Sequence, residues 1–186
     1  MSQIIRQVPN ALTAFRLFAA PALALLLHEH HDAGALFLFI LAGLSDAVDG
    51  YLAKRLASPS RFGAYLDPAA DKLLMLVAFI ILTQLGATHL WLTALVIGRD
   101  VAIVLGLMLG LALGLPLVVA PLTIGKVSTV VQVCYVGLIL LLRALQLNLG
   151  TLQAPVEIIV AAVTTLSWLA YGQLLFRAFS LRRRTA

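Results

Sequence analysis

At 186 residues, 62% of them hydrophobic and only 11% charged, with a mean hydropathy of +1.03, the chain is no ordinary soluble domain, in which about a quarter of residues are charged. The net charge of +5 comes from cations scattered at the ends of apolar runs, with no contiguous basic face, which argues against nucleic acid as a partner. The one cysteine, Cys134, lies in an apolar run and leaves no room for an intrachain disulfide framework.

Taken in chain order, the apolar runs predict helices over residues 9–27, 35–57, 64–86, 90–114, 122–147 and 155–178. Polar residues between His28 and Gly34, the Ser58-Pro59-Ser60 cluster, Gly114 with Pro116 and Pro121, and the stretch Gly150 to Pro155 punctuate them. The expected fold is all-α, six transmembrane helices forming a single membrane domain over residues 1–186, without repeats or low-complexity tracts. Arg6, Lys54, Arg55, Arg61, Arg177 and the Arg182-Arg183-Arg184 tail fall on one side of such a bundle, so the positive-inside rule places both termini in the cytoplasm. His28, Glu29, His30, His31, Asp32, His89 and Glu157 belong to the other side, with Arg143 the one cation near them. Asn10, Thr13 and Arg16 run into the first apolar stretch, which therefore reads as a retained helix and not a cleaved signal.

Five aspartates lie within these spans or at their inner ends: Asp46, Asp49, Asp67, Asp71 and Asp100. Each would cost about 2.5 kcal/mol or more at the bilayer centre, so such groups normally mark function. Asp46, Asp49, Gly50 and Ala53 share one helical face, and Gly63, Asp67 and Asp71 share another. An antiparallel hairpin turning at Ser58-Pro59 would bring Asp46 level with Asp71 and Asp49 level with Asp67. Gly50, Ala53 and Gly63 leave space on those faces for close packing or a ligand. Four converging carboxylates need cations to stay ionised in a low dielectric, and oxygen-only ligation favours Mg²⁺, Mn²⁺ or Ca²⁺. Two such ions suit phosphoryl transfer. The bland alternative satisfies the carboxylates with Lys54, Arg55, Lys72 and Arg99, but it does not require the matched depths.

The run from Asp46 through Asp49, Gly50 and Ala53 to Lys54, followed by Gly63, Asp67 and Asp71, resembles the signature of the CDP-alcohol phosphatidyltransferases, D-x-x-D-G-x-x-A-R then G-x-x-x-D-x-x-x-D. The departure is Lys54 where the family has Arg, with Arg55 next in the chain; it keeps a cation but not a bidentate grip. The resemblance implies that Asp46, Asp49, Asp67 and Asp71 hold two Mg²⁺ or Mn²⁺ ions and that Asp71 doubles as general base. It also implies a cytidine nucleotide site at Gly50, Ala53, Lys54, Arg55 and Gly63, CDP-diacylglycerol as donor, CMP as leaving group, and a homodimer in the bacterial cytoplasmic membrane whose sites face the cytoplasm.

Pro9-Asn10 with Thr13 and Arg16, the stretch Gly63 to Leu73, and Ile124-Gly125-Lys126-Val127 with Thr129 and Gln132 are similar to phosphatidylglycerophosphate synthases and to CDP-alcohol-type cardiolipin synthases. Gly98-Arg99-Asp100 leans toward the latter, and Leu107 stands where the former tend to carry a second Arg. Glycerol 3-phosphate is the first expectation for the acceptor and phosphatidylglycerol the alternative, with Arg99 and Lys126 gripping its phosphate, unless Arg99 only neutralises Asp100 or one of the motif carboxylates. A transporter or channel is the reading from another class, but it would place polar groups through both leaflets, whereas the charges here gather in the inner half. Lys72 reads as a snorkelling side chain, the His28 to Asp32 run as a solvated loop in preference to a zinc site, and the arginine tail as an anchor at anionic lipid or for topology.

Overall fold

The computed structural model describes residues 2–56, 61–113, 122–147 and 149–185, and side chains over 14–45, 72–106, 108–110, 112–113, 122–147 and 149–176. Among these residues there are six α-helices and no strand: α1 (Ser2–His28), α2 (Asp32–Leu56), α3 (Arg61–Gln84), α4 (Leu90–Ala112), α5 (Thr123–Ala144) and α6 (Gln153–Thr185), the last preceded by a 3-10 turn at Gly150–Leu152. The helices match the apolar runs, with the largest differences at the termini. The first helix begins at Ser2 and the last continues to Thr185, because helix formation does not stop where the apolar run does. Pro155 is accommodated in the first turn of α6, where a backbone N–H has no intrahelical partner anyway.

Helices α1, α3 and α5 close in the same way. His31 N–H bonds to the Leu26 carbonyl and His30 N–H to that of Leu27, with His30 at φ 58°. Ala87 and Gly86 repeat the pair onto Leu82 and Thr83, and Leu147 and Gln146 onto Leu142 and Arg143. These are Schellman caps, which need a left-handed residue after the helix. Glycine takes that position only after α3, at φ 70°; His30 and Gln146 adopt it with side chains.

The chain forms two compact units. The first comprises residues 1–87 and 136–148, hence α1, α2, α3 and the end of α5. In it α1 packs on both α2 and α3, and apart from Arg16 the core is apolar: Ala19, Ala20, Leu23 and Leu27 of α1, Ala35, Phe39 and Ala42 of α2, and Ala78, Phe79 and Leu82 of α3. Arg143 in the last turn of α5 donates from Nε to Asp32 in the first turn of α2 at 2.8 Å, each residue at the helix end whose dipole it complements.

The second unit comprises residues 88–135 and 149–186: α4, the start of α5, and α6. Here α4 and α6 run parallel, with the same separation of 68 residues at His89–Glu157 and at Arg99–Ser167. Its outward positions are apolar, among them Leu105, Met108, Leu109, Ile158, Ile159, Leu169 and Phe176, while its interior holds Thr93, Arg99, Ser128, Gln132, Glu157, Thr164 and Ser167. A polar interior under an apolar exterior is stable in hydrocarbon and not in water. Consistent with this, Leu90–Gly110, Thr123–Ala144 and Gly150–Phe176 are each long and apolar enough to cross a membrane, and shorter apolar segments occur at Ala14–His28, Asp32–Ser45 and Lys72–Gln84. The chain is a multi-pass membrane protein.

Candidate active site

Asp46 and Asp49 lie one turn apart near the end of α2, and Asp67 and Asp71 one turn apart in the first half of α3. Both helices are unbroken through these positions, so each pair shares a helical face, and both helices pack on α1. The side chains of these four aspartates, and Gly50, Ala53, Lys54, Arg55 and Gly63, lie outside the described residues, as does the depth matching expected of the hairpin. The donor set is carboxylate oxygen only, which fits hard divalent cations and not softer, nitrogen- or sulfur-seeking ones. Among the described side chains no group of three metal-ligating residues occurs. In the His28 to Asp32 run, Asp32 is engaged by Arg143, and His31 stands 3.9 Å from Glu29.

Arg16 of α1 went without a role in the sequence reading. It is the largest fully buried side chain described, 1% exposed, in the unit that carries the four aspartates. Its signal was the charge itself, within an apolar run.

The Arg99 cluster belongs to the second unit and draws on three helices. Arg99 of α4 is 4% exposed. Its Nη1 donates to Asp100 Oδ1 at 2.6 Å, and its Nη2 to Ser167 Oγ of α6 at 2.7 Å, with the Gly125 carbonyl of α5 at 3.5 Å. Nε is buried and has no hydrogen-bond partner among the described residues. The Tyr171 ring lies 5.8 Å from the guanidinium carbon, at the outer limit of a cation–π contact. Gly125 permits this approach: a Cβ there would stand 2.8 Å from the Tyr171 hydroxyl. Lys126 follows Gly125 with an exposed side chain. The neutralisation of Arg99 by Asp100, one of the two readings of this residue, is therefore present, and Ser167 and Tyr171 were not foreseen.

A second polar cluster lies at the opposite end of the same unit. Glu157 had been grouped with the loop residues, but it lies in α6 and is fully buried. Its carboxylate accepts from His89 Nδ1 at 2.8 Å, the His89 backbone N–H at 3.2 Å, Tyr135 Oη at 3.0 Å and Gln153 Nε2 at 3.2 Å. Thr88 stands 3.1 Å from the Tyr135 hydroxyl and donates to it, since that hydroxyl's own proton goes to Glu157. Between the two clusters, Gln132 donates to Ser128 and Thr164 at 3.3 and 3.1 Å.

The model of one protein family, described as CDP-alcohol phosphatidyltransferase, matches residues 6–176. A Cereibacter sphaeroides protein named CDP-diacylglycerol--glycerol-3-phosphate 3-phosphatidyltransferase is 43% identical over 101 residues, 50% of this chain and 46% of that protein. A Mycobacterium tuberculosis protein named probable phosphatidylglycerophosphate synthase is 32% identical over 170 residues, 88% of this chain and 77% of that one. A Schizosaccharomyces pombe protein named cardiolipin synthase (CMP-forming) / mitochondrial hydrolase fusion protein is 33% identical over 180 residues, 88% of this chain but 30% of its own length.

Proposed function

The chain belongs to the CDP-alcohol phosphatidyltransferase family, and from that premise we propose that it transfers the phosphatidyl group of CDP-diacylglycerol to glycerol 3-phosphate, releasing CMP. The observation that carries this reading is the pairing of Asp46 with Asp49 and Asp67 with Asp71 on two unbroken helices inside the family match. The names of the Cereibacter and Mycobacterium relatives support glycerol 3-phosphate as acceptor.

In the proposed reaction the acceptor's hydroxyl oxygen bonds to the phosphorus of the phosphatidyl group and the bond from that phosphorus to CMP breaks. Asp71 takes the hydroxyl proton. The four aspartates would hold two divalent cations, Mg²⁺ or Mn²⁺, which when bound would supply positive charge against the diphosphate. Gly50, Ala53 and Gly63 make room for the cytidine nucleotide, with Lys54 or Arg55 beside its phosphates. Arg99 and Lys126 take the acceptor phosphate. Arg16 adds a buried positive charge to the unit holding the carboxylates.

The wider proposal is a homodimer in the bacterial cytoplasmic membrane, each chain one domain of six spans with both termini and the site on the cytoplasmic side. The family match over residues 6–176 includes parts of both compact units and supports one functional domain. The parallel course of α4 and α6 supports alternating spans. Phosphatidylglycerol is the second reading. It is favoured by the ion pair that already occupies Arg99, since a phosphodiester demands less positive charge, and by the cardiolipin synthase name of the S. pombe relative.

The deciding experiment incubates purified protein with labelled CDP-diacylglycerol and each acceptor in turn, following CMP release and separating the lipid products. Phosphatidylglycerophosphate from glycerol 3-phosphate is the expected product; cardiolipin from phosphatidylglycerol, with glycerol 3-phosphate inert, selects the second reading. EDTA is expected to abolish turnover and Mg²⁺ or Mn²⁺ to restore it. Asp71→Asn is expected to lower turnover by roughly 10²-fold or more while donor binding survives; near-wild-type turnover would remove Asp71 from the role of base.

A further inference from the structure

The inward face of α6 carries Glu157, Thr164, Ser167 and Tyr171, with Glu157, Thr164 and Tyr171 at heptad spacing. The first three are fully buried, and each is met from outside α6: Glu157 by His89 and Tyr135, Thr164 by Gln132, and Ser167 by Arg99. Tyr171 is half-buried and turned the same way, beside Gly125 of α5 and with its ring 5.8 Å from the Arg99 guanidinium carbon. Its hydroxyl, however, has no hydrogen-bond partner among the described residues. Nor is that oxygen sealed in: the enclosed polar atoms left without a partner among the described residues are Nε of Arg16 and Nε of Arg99. The groups nearby are donors as well. Arg99 brings a buried guanidinium whose Nε–H is unmet. Lys126, next to Gly125 in the first turn of α5, is exposed and has no acceptor among the described residues. That turn is also the end of a helix that favours an anion. Helices α4, α5 and α6 thus bring unmet N–H and O–H donors to one end of the unit, and the complement of such a set is an oxyanion.

We propose that Tyr171 is a further acceptor-binding residue, whose hydroxyl donates a hydrogen bond to the phosphate of the acceptor alcohol. This rests on the reading of Arg99 and Lys126 as the acceptor's anchors. Arg99 is 4% exposed, its Nη1 held by Asp100 and its Nη2 by Ser167 and the Gly125 carbonyl. The guanidinium therefore supplies charge from within the helix bundle, and the direct contact falls to the hydroxyl beside it and to Lys126. Because Asp100 offsets the charge of Arg99, Lys126 alone is a weak hold on a phosphate dianion, and a directed neutral donor makes up part of the difference. Gly125 admits that donor: a Cβ there would stand 2.8 Å from the Tyr171 oxygen.

The test is Tyr171→Phe in the full-length protein in detergent, a change that deletes the oxygen and keeps the ring beside Gly125 and Arg99. It is expected to raise the KM for glycerol 3-phosphate, and the inhibition constant of inorganic phosphate competing with it, about 10-fold, the size of one lost hydrogen bond to a charged group. The KM for CDP-diacylglycerol and the thermal unfolding temperature are expected to stay unchanged. An unaltered acceptor KM with unaltered phosphate inhibition overturns the proposal. So does a loss confined to kcat, a loss shared by both substrates, or a lowered unfolding temperature, each of which would make Tyr171 a prop for Arg99 and not a contact to the acceptor. Arg99→Ala and Lys126→Ala separate the proposal from the reading beneath it. If they raise the acceptor KM and weaken phosphate inhibition while Tyr171→Phe changes neither, only the hydroxyl contact is wrong. If neither of them changes the acceptor KM or phosphate inhibition, the anchors themselves are wrong and the proposal falls with them.

Discussion

The unit built on α1, α2 and α3 encloses Ala20, Leu23, Leu27, Ala78, Phe79 and Leu82, whereas the unit built on α4 and α6 encloses Arg99, Ser128, Gln132, Glu157, Thr164 and Ser167. In the first, small residues on α1 and α2 let the helices approach, and side-chain packing supplies the cohesion. In the second, α6 is joined by specific donor–acceptor pairs to α4, to α5 and to His89 just before α4. Lipid tails are as apolar as leucine, so burying leucine in a membrane gains mainly van der Waals contact, while an unmet polar group there has no water to turn to. The apolar unit should therefore degrade gradually under substitution and the polar one abruptly.

The sharpest test is Glu157→Leu. It removes the carboxylate that accepts from Tyr135, Gln153 and the His89 backbone N–H, and a cost of about 3 kcal/mol is expected, read as thermal unfolding in detergent. A loss below about 1 kcal/mol would break the contrast. Leu23→Ala in the apolar unit is expected to cost about 2 kcal/mol, with the variant still folded around a small cavity. Arg143→Ala removes the partly buried pair with Asp32 and should cost about 1 kcal/mol, less at high salt. The smallest effect sets two glycines of the polar unit against each other. Gly125→Ala must displace Tyr171 and is expected to destabilise, while Gly172→Ala meets nothing within 4 Å and should stabilise by about 0.5–1 kcal/mol through helix propensity.

The same contrast explains what the sequence made legible. Long apolar runs announce helices whatever those helices pack against, so all six were placed, and the aspartate pairs were found because charge inside an apolar run is conspicuous. Ser128, Gln132 and Tyr135, and Glu157, Thr164 and Ser167, also recur at helical spacing. That spacing names a face but not the helix it meets. Ser167 meets Arg99 from 68 residues away in the chain, and nothing local to either residue encodes the pairing. Glu157 was assigned to the loops because a carboxylate near a helix start usually remains in water; here three donor side chains and a backbone N–H make burial affordable. The turn after α1 was read correctly as a loop, but its Schellman closure on His30 was not foreseen, since histidine favours a left-handed conformation far less than glycine does.

The polar face of α6 also bears on how the protein is made. Following α4 and α5 in the chain, α6 emerges from the ribosome after them. Entering the bilayer alone, it would carry Glu157, Thr164 and Ser167 into lipid, and an unpaired ionised side chain costs about 2.5 kcal/mol at mid-depth and less near the surface. His89, Tyr135, Gln132 and Arg99, already threaded, supply the missing partners. Insertion of α6 is thus templated by its predecessors, and a chain with a misplaced α4 or α5 would leave α6 poorly anchored.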